Sequence, residues 1–377
     1  METAKRESAS VVDEELEKDE GQSPQRNEPR PIARSPVLFS PSSLLVAGNG
    51  QSPAVIERSN RGNGGTKREP RSLGRSHNLG DRLLNVVTAL FASLVIVAVV
   101  GMLAVLILQS HQSISTIGFS FLTSSTWDPI HNVFGASAAI LGTIYTSLLA
   151  LLVAAPVGVL VAIFLTEISP RRIRFPLGFV IELLAAVPSI VYGLWALVVL
   201  VPLIAHYIQP WFTEHFGQTA LFSGPPIGLG YFAASLILAI MILPTITAIS
   251  RDVLTAVPNS QRDAMLALGA TRWEATWKVI VPYARSGIIG AIILALGRAV
   301  GETMAVQMVI GNTLHFNMSV FSTGTTLPAI IVNQFGEAST DLYRSALIEL
   351  ALILLLVTIA LNAVARLLVW RVAPRTR

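Results

Sequence analysis

The chain of 377 residues has no cysteine, which excludes a disulfide framework and any thiolate metal site. Charge is scarce as well. Only 13% of residues are Asp, Glu, Lys or Arg, about half of the roughly 25% of a soluble domain. No G-x-x-x-x-G-K-[ST] phosphate loop occurs. GNGGTKR, at residues 62–68, lacks the spacing and any flanking strand and helix, so ATP hydrolysis by that chemistry is excluded. No catalytic triad or nucleic-acid motif emerges, and the basic N-terminal tail alone does not argue for a nucleic-acid partner. His111, His131, His206, His215 and His315 are scattered without metal-ligand spacing.

Long apolar runs fill the place of charge. Six segments, approximately Leu83–Leu108, Ser137–Leu165, Pro176–Ala205, Gly230–Ile249, Ser286–Ile310 and Ser345–Val369, predict membrane-spanning helices. At about 1.5 Å per residue each can cross a hydrocarbon layer roughly 30 Å thick. Backbone groups cannot stay unpaired in lipid, which favours helices over open strands. The expected fold class is therefore an all-α polytopic membrane protein. Pro156, Pro188 and Pro244 fall inside spans and predict kinks.

Lysine and arginine placement predicts direction. The connections 109–136, 206–229 and 311–342 hold none, whereas thirteen precede the first span. Three more lie in SPRRIRF, five in Arg251–Arg285 and four from Arg366 onward. Both termini and the two basic loops are expected on the cytoplasmic side of a plasma (inner) membrane. Residues 1–80 are rich in Ser, Pro, Gly, Asn and charge, and are expected to form a disordered cytoplasmic tail. Its apolar patch Val37–Val46 is a candidate membrane contact, and its basic cluster Lys67, Arg68, Arg71, Arg75 and Arg82 suits anionic lipid headgroups. The first long apolar run starts near Leu83, too deep for a signal peptide. Residues 81–377 are expected to form the six-helix domain.

Two stretches carry the functional argument. LGRAVGETMAV, residues 296–306, places Arg298 and Glu302 in an otherwise uncharged run. A lone charge at the bilayer centre costs about 2.5–3.5 kcal/mol on insertion scales. The two are four apart, which predicts one helix face and a pair. Gly297 and Gly301, with the line Gly287, Ala291, Ala295 and Ala299, predict close helix approach and charges turned inward. Either the pair locks packing, or Arg298 offers its guanidinium fork to a passing oxyanion while Glu302 keeps the site from trapping it. Two further carboxylates have structural expectations. Glu182 is expected to meet Arg171, Arg172 or Arg174, and Glu349 to meet Arg344.

The second stretch is PNSQRDAMLALGATRWEATWKVIVP, residues 258–282, within a basic loop at 250–285. Its pattern is helix, glycine, helix. Gly269 suits a left-handed helix end, Thr271 and Glu274 form a T-x-x-E capping box, and Trp273, Trp277 and Ile280 share a stripe that Pro282 is expected to end. The stripe fits either a helix at the membrane surface or a knob in a partner's groove.

This loop resembles the EAA loop of ABC-importer permeases. Asp263-Ala264-Met265 stands at the first triplet, Gly269 follows after three residues, and Val279-Ile280-Val281-Pro282 after nine more. The run ALGRAVGETMAVQMVIGN is similar to the fifth span of the PstC-type permeases of phosphate ABC transporters. FLTSSTWDP, FGASAAILGTIYTS, ELLAAVPSIVYGLW and VNQFGEA agree with it, so the resemblance covers about residues 81–370. It implies a permease subunit of an ATP-driven phosphate importer, with six spans of the ABC-importer type. It also implies substrate-pathway roles for Arg298 and Glu302, and an ATPase-coupling role for Asp263, Ala264, Gly269, Thr271, Glu274 and Pro282. The implied partners are a second, PstA-like permease, a PstB-like ATPase dimer holding ATP and Mg, and an external PstS-like phosphate-binding protein; this chain itself needs no cofactor. The residues alone leave open a permease for sulfate or molybdate, an ATPase-independent secondary transporter or channel, and a membrane scaffold.

Overall fold

The computed structural model describes residues 79–217 and 219–372. The expected tail lies outside them up to residue 78, its apolar patch included, and Leu79 and Gly80 already belong to the first helix. Among the described residues the regular elements are all helices, and six of these are long and apolar enough to cross a membrane. We number the main helices α1 (Leu79–Ile117), α2 (Ser137–Ile168), α3 (Arg171–Ala186), α4 (Ser189–Phe216), α5 (Tyr231–Thr255), α6 (Asn259–Ala267), α7 (Arg272–Val300), α8 (Met304–Val309), α9 (Leu327–Gln334) and α10 (Asp341–Val372).

The centre of the bundle is the contact of α2 with α5. A stripe of small residues makes it possible. Gly142, Thr146, Ala150, Ala154, Gly158 and Ala162 recur every fourth position along α2 and are all buried. Lipid tails are as apolar as leucine, so helices in a membrane associate by close packing and hydrogen bonding. A Cβ on Gly158 would lie 2.9 Å from Ile246 of α5, and Thr247 Oγ1 donates to the Gly158 carbonyl at 3.2 Å. At the other end of α2 a Cβ on Gly142 would lie 1.9 Å from the Thr325 carbonyl oxygen. Helix α7 joins this core through Ala291, Ala295 and Ala299, all buried as expected. A Cβ on Gly287 would lie 2.4 Å from Val253 of α5.

Helix α1 is peripheral and packs mainly on α10. The join is polar. Ser345 Oγ donates to the Gln109 carbonyl at 2.8 Å and accepts from the Ser113 N–H at 3.0 Å.

The first, fourth and sixth spans run longer than expected, to Ile117, to Thr255 and from Asp341, and two spans differ in where their helices break. The apolar run Pro176–Ala205 is two helices. Val187 is extended before Pro188 (φ −66, ψ 130), the conformation a following proline enforces, so α3 stops at Ala186 and the crossing helix starts at Ser189. The fifth span starts earlier and stops earlier. Pro282 does not end the loop's second helix: α7 runs unbroken from Arg272 to Val300. A π-helical turn, Thr276–Ile280, ends two residues before Pro282 and opens the ladder where proline has no N–H to donate. At the far end the helix stops at Val300, Gly301 closes it, and α8 begins only at Met304.

Candidate functional site

The interruption of the fifth span falls inside GRAVGET. Non-helical backbone at membrane depth is tolerated where it is enclosed by protein or lines a cavity, and discontinuous helices mark substrate sites in many transporters. Arg298 lies in the last turn of α7 and Glu302 in the unwound link. The expected single helix face therefore does not exist, because the helix ends between the two residues. Arg298 makes no hydrogen bond or ion pair among the described residues. Glu302 instead accepts from the Ala305 N–H at 3.4 Å, at the start of α8.

Arg298 is not turned inward within this chain. It lines an open cavity of about 1210 Å³ between α7 and α10, with Thr245, Ser286, Gly290, Gly297, Asn362 and Arg366 on its wall. No carboxylate lines it. Gly290 has nothing within 4 Å of a Cβ position, and Gly297 has only Asn362, at 3.5 Å. Gly290 and Gly297 therefore keep an open face bare, and the alanine line makes the contacts within the chain. Asn362 and Arg366 had escaped the sequence argument; the available signal was their i, i+4 spacing within the last apolar run.

The basic loop forms the second region. Helix α6 carries Asp263 and Ala264 exposed, and none of its residues is buried. Gly269 takes φ +81, ends α6, and has no atom within 4 Å of a Cβ position, so the backbone alone requires glycine there. The Gly269 N–H donates to Leu266 O at 3.0 Å and the Ala270 N–H to Met265 O at 3.1 Å, closing the helix end. Thr271 and Glu274 form the expected reciprocal cap. The Glu274 N–H donates to Thr271 Oγ1 at 3.2 Å, and the Thr271 N–H donates to Glu274 Oε2 at 3.0 Å. The expected tryptophan stripe divides: Trp273 and Trp277 stay exposed in edge contact at 5.4 Å, while Ile280 is buried. The π-helical turn between them shifts the helical phase.

Other expected pairs are re-partnered. Glu182 accepts from Arg251 Nη2 at 2.8 Å rather than from the arginines of its own loop. Arg174 donates to the Thr166 carbonyl instead. Arg344 donates to Ala338 O at 3.3 Å and does not meet Glu349, which is buried beside α1 with one carboxyl oxygen unpartnered among the described residues. The far end of the bundle is capped by aromatic contacts from the motifs singled out above. Trp127, Phe134 and Tyr343 cluster, and both Trp127 and Tyr343 donate to Gln334 Oε1 of VNQFGEA.

Known proteins resemble this chain in sequence and in fold. Residues 154–377 match the family of binding-protein-dependent transport system inner membrane components. The chain is 46% identical over 306 residues to the phosphate transport system permease protein PstC of Mesorhizobium japonicum, covering 80% of this chain and 94% of that one. It is also 46% identical to the PstC protein of Pasteurella multocida, covering 80% and 95%. Among solved structures, a bacterial alginate ABC transporter in complex with alginate pentasaccharide-bound periplasmic protein matches with a TM-score of 0.52. That match has 14% identity and covers 78% of this chain and 96% of that one, a likeness of fold alone. With a family match over more than half its length and relatives this similar over four-fifths of it, the chain belongs to the binding-protein-dependent transport system inner membrane components, as a PstC-type permease.

Proposed function

We infer that the chain is the permease subunit of an ATP-driven importer of inorganic phosphate, and that it forms the translocation path with a second permease. It is a transport subunit and not an enzyme. The observation that carries the reading is the unpaired Arg298 on an open cavity beside the break in its helix. A guanidinium presents a planar fork of N–H donors that matches two oxygens of a tetrahedral oxyanion. With no carboxylate on the cavity wall, the fork is held for an anion that arrives and leaves. Asn362 and Arg366, on the same wall, offer further donors along α10. Glu302, fixed at the start of α8, adds a negative charge close in sequence that keeps phosphate from being held permanently.

The open cavity and bare glycine face are the surface for the second, PstA-like permease. Residues 258–282 are the surface for a PstB-like ATPase dimer. Asp263, Ala264 and Gly269 would sit in its cleft, while Thr271 and Glu274 cap the start of α7 and Pro282 lies in the part of α7 that carries the loop into the membrane. ATP and Mg belong to that partner. A PstS-like binding protein would deliver phosphate to the opposite end, and the lysine and arginine bias supports cytoplasmic termini for a protein of the plasma (inner) membrane.

A permease for sulfate or molybdate would use the same fork. The discriminating experiment is uptake by the purified complex in vesicles, with phosphate and sulfate compared. Phosphate-dependent uptake that Arg298→Ala abolishes supports the reading. Uptake of sulfate alone assigns the cavity to the other oxyanion.

A further inference from the structure

Arg262 was not among the residues that the sequence singled out, yet it is the most heavily bonded side chain in the loop region. Its five N–H donors all have acceptors. Nη2 donates to Glu167 Oε1 and to Leu254 O, both at 2.9 Å. Nη1 donates to Val257 O at 2.6 Å and to Asn259 Oδ1 at 3.1 Å, and Nε donates to Glu167 Oε2 at 3.4 Å. A guanidinium has five donors and no more. The Glu167 side chain is 11% exposed and that of Arg262 20%, so water screens the pair poorly.

These acceptors lie on three elements. Glu167 belongs to the terminal π-helical turn of α2 and Leu254 to the last turn of α5, where the helix dipole favours a cation, with Val257 two residues past the end of α5. Asn259 and Arg262 itself belong to α6. Helix α6 has no buried side chain with which to grip the bundle. A cavity of about 360 Å³ lies beneath it, lined in part by Thr166, Thr255, Asp263 and Leu266. Gly269, at its far end, is a backbone pivot. The Arg262 hub is thus the rigid joint between α6 and the two helices at the centre of the bundle.

We propose that Arg262 and Glu167 are positioning residues of energy coupling: they carry displacement of α6 by the ATPase into the ends of α2 and α5, where the central helix contact begins. This rests on the reading of residues 258–282 as the docking loop. A lysine at 262 would keep the charge but place three donors on one atom, and could not reach all three elements.

The test uses the complete complex reconstituted in vesicles, and reads phosphate moved per ATP hydrolysed together with the amount of ATPase chain retained. Arg262→Ala and Glu167→Gln are each expected to keep the ATPase chain and to lower the ratio about tenfold, within the range of ordinary coupling energies. Arg262→Lys is expected to fall between those variants and the parent. A merely structural joint would reduce the yield of complex and leave the ratio unchanged, and that result overturns the proposal. So does a ratio that falls in Arg262→Ala but stays at the parent value in Glu167→Gln. Gly269→Pro separates the two layers of the argument. If that variant keeps its ATPase, the docking reading fails and the proposal with it. If it releases its ATPase while Arg262→Ala transports at the parent ratio, the proposal fails alone.

Discussion

Arg262 and Arg298 are the same side chain in opposite circumstances. In the loop region every donor of Arg262 has an acceptor, and the group is tied to three helices. In the cavity region Arg298 has no partner among the described residues and faces about 1210 Å³ of open space. Placing either cation there costs desolvation. At position 262 local acceptors offset that cost, and the outcome is a rigid joint. At position 298 nothing local among the described residues does, which is why we assign that group to a passing anion. On the proposed reading, local hydrogen bonding, more than residue type, separates the arginine assigned to coupling from the one assigned to transport.

The contrast can be broken from either side. The largest effect is expected from Gly269→Pro. Proline fixes φ near −65° and cannot adopt the observed +81. The variant should lose its ATPase completely on purification from the membrane, read as chain stoichiometry; full retention contradicts the role of the loop. Next is Arg298→Lys, which keeps the charge and removes the fork. Charge-assisted bonds contribute about 1.5–3 kcal/mol each, so phosphate uptake should fall roughly ten- to hundredfold. Unchanged uptake would mean that position 298 acts only as a point charge.

Glu302→Ala removes the acceptor at the start of α8, with a cost of about 1 kcal/mol by analogy with lost helix caps. Glu302→Gln keeps that acceptor. A thermal scan of the complex should therefore show Glu302→Ala less stable and Glu302→Gln near the parent. Equal destabilisation by both would point to the charge. Thr271→Ala removes the reciprocal cap and should also cost about 1 kcal/mol, visible as faster amide exchange at Glu274. The smallest effect concerns a charge left in water. The imidazole and backbone N–H of His131 hold the Asp128 carboxyl below the usual carboxylate range. A depressed carboxylate stabilises above its unfolded value, and that contribution fades as pH falls through the folded one. The turn Asp128–Val133 should loosen only below pH about 4, and Asp128→Asn should remove that dependence in amide exchange at Ile130.

Composition and periodicity made much of this legible. Apolar length located six crossings, and T-x-x-E with a glycine two residues before it located a capped helix pair that the fold contains. What was not legible depended on where helices stop and on contacts distant in sequence. The i, i+4 spacing of Arg298 and Glu302 implied a pair only if the helix continued, and Gly301 ends it. Pro188 read as a kink and is a full break, because the residue before it is extended. Pro282 read as a stop and lies within a helix, because a π-helical turn accommodates it. Glu182 with Arg251, and Glu167 with Arg262, are separated by 69 and 95 residues, and no local pattern joins them.

The central claim is that Arg298 stands without a local partner so that phosphate can serve as one in transit. The most direct test is phosphate uptake by vesicles holding the complete complex with Arg298→Ala, with subunit stoichiometry measured on the same vesicles. The account predicts an intact complex that moves no phosphate. An intact complex that imports phosphate at the parent rate would contradict it.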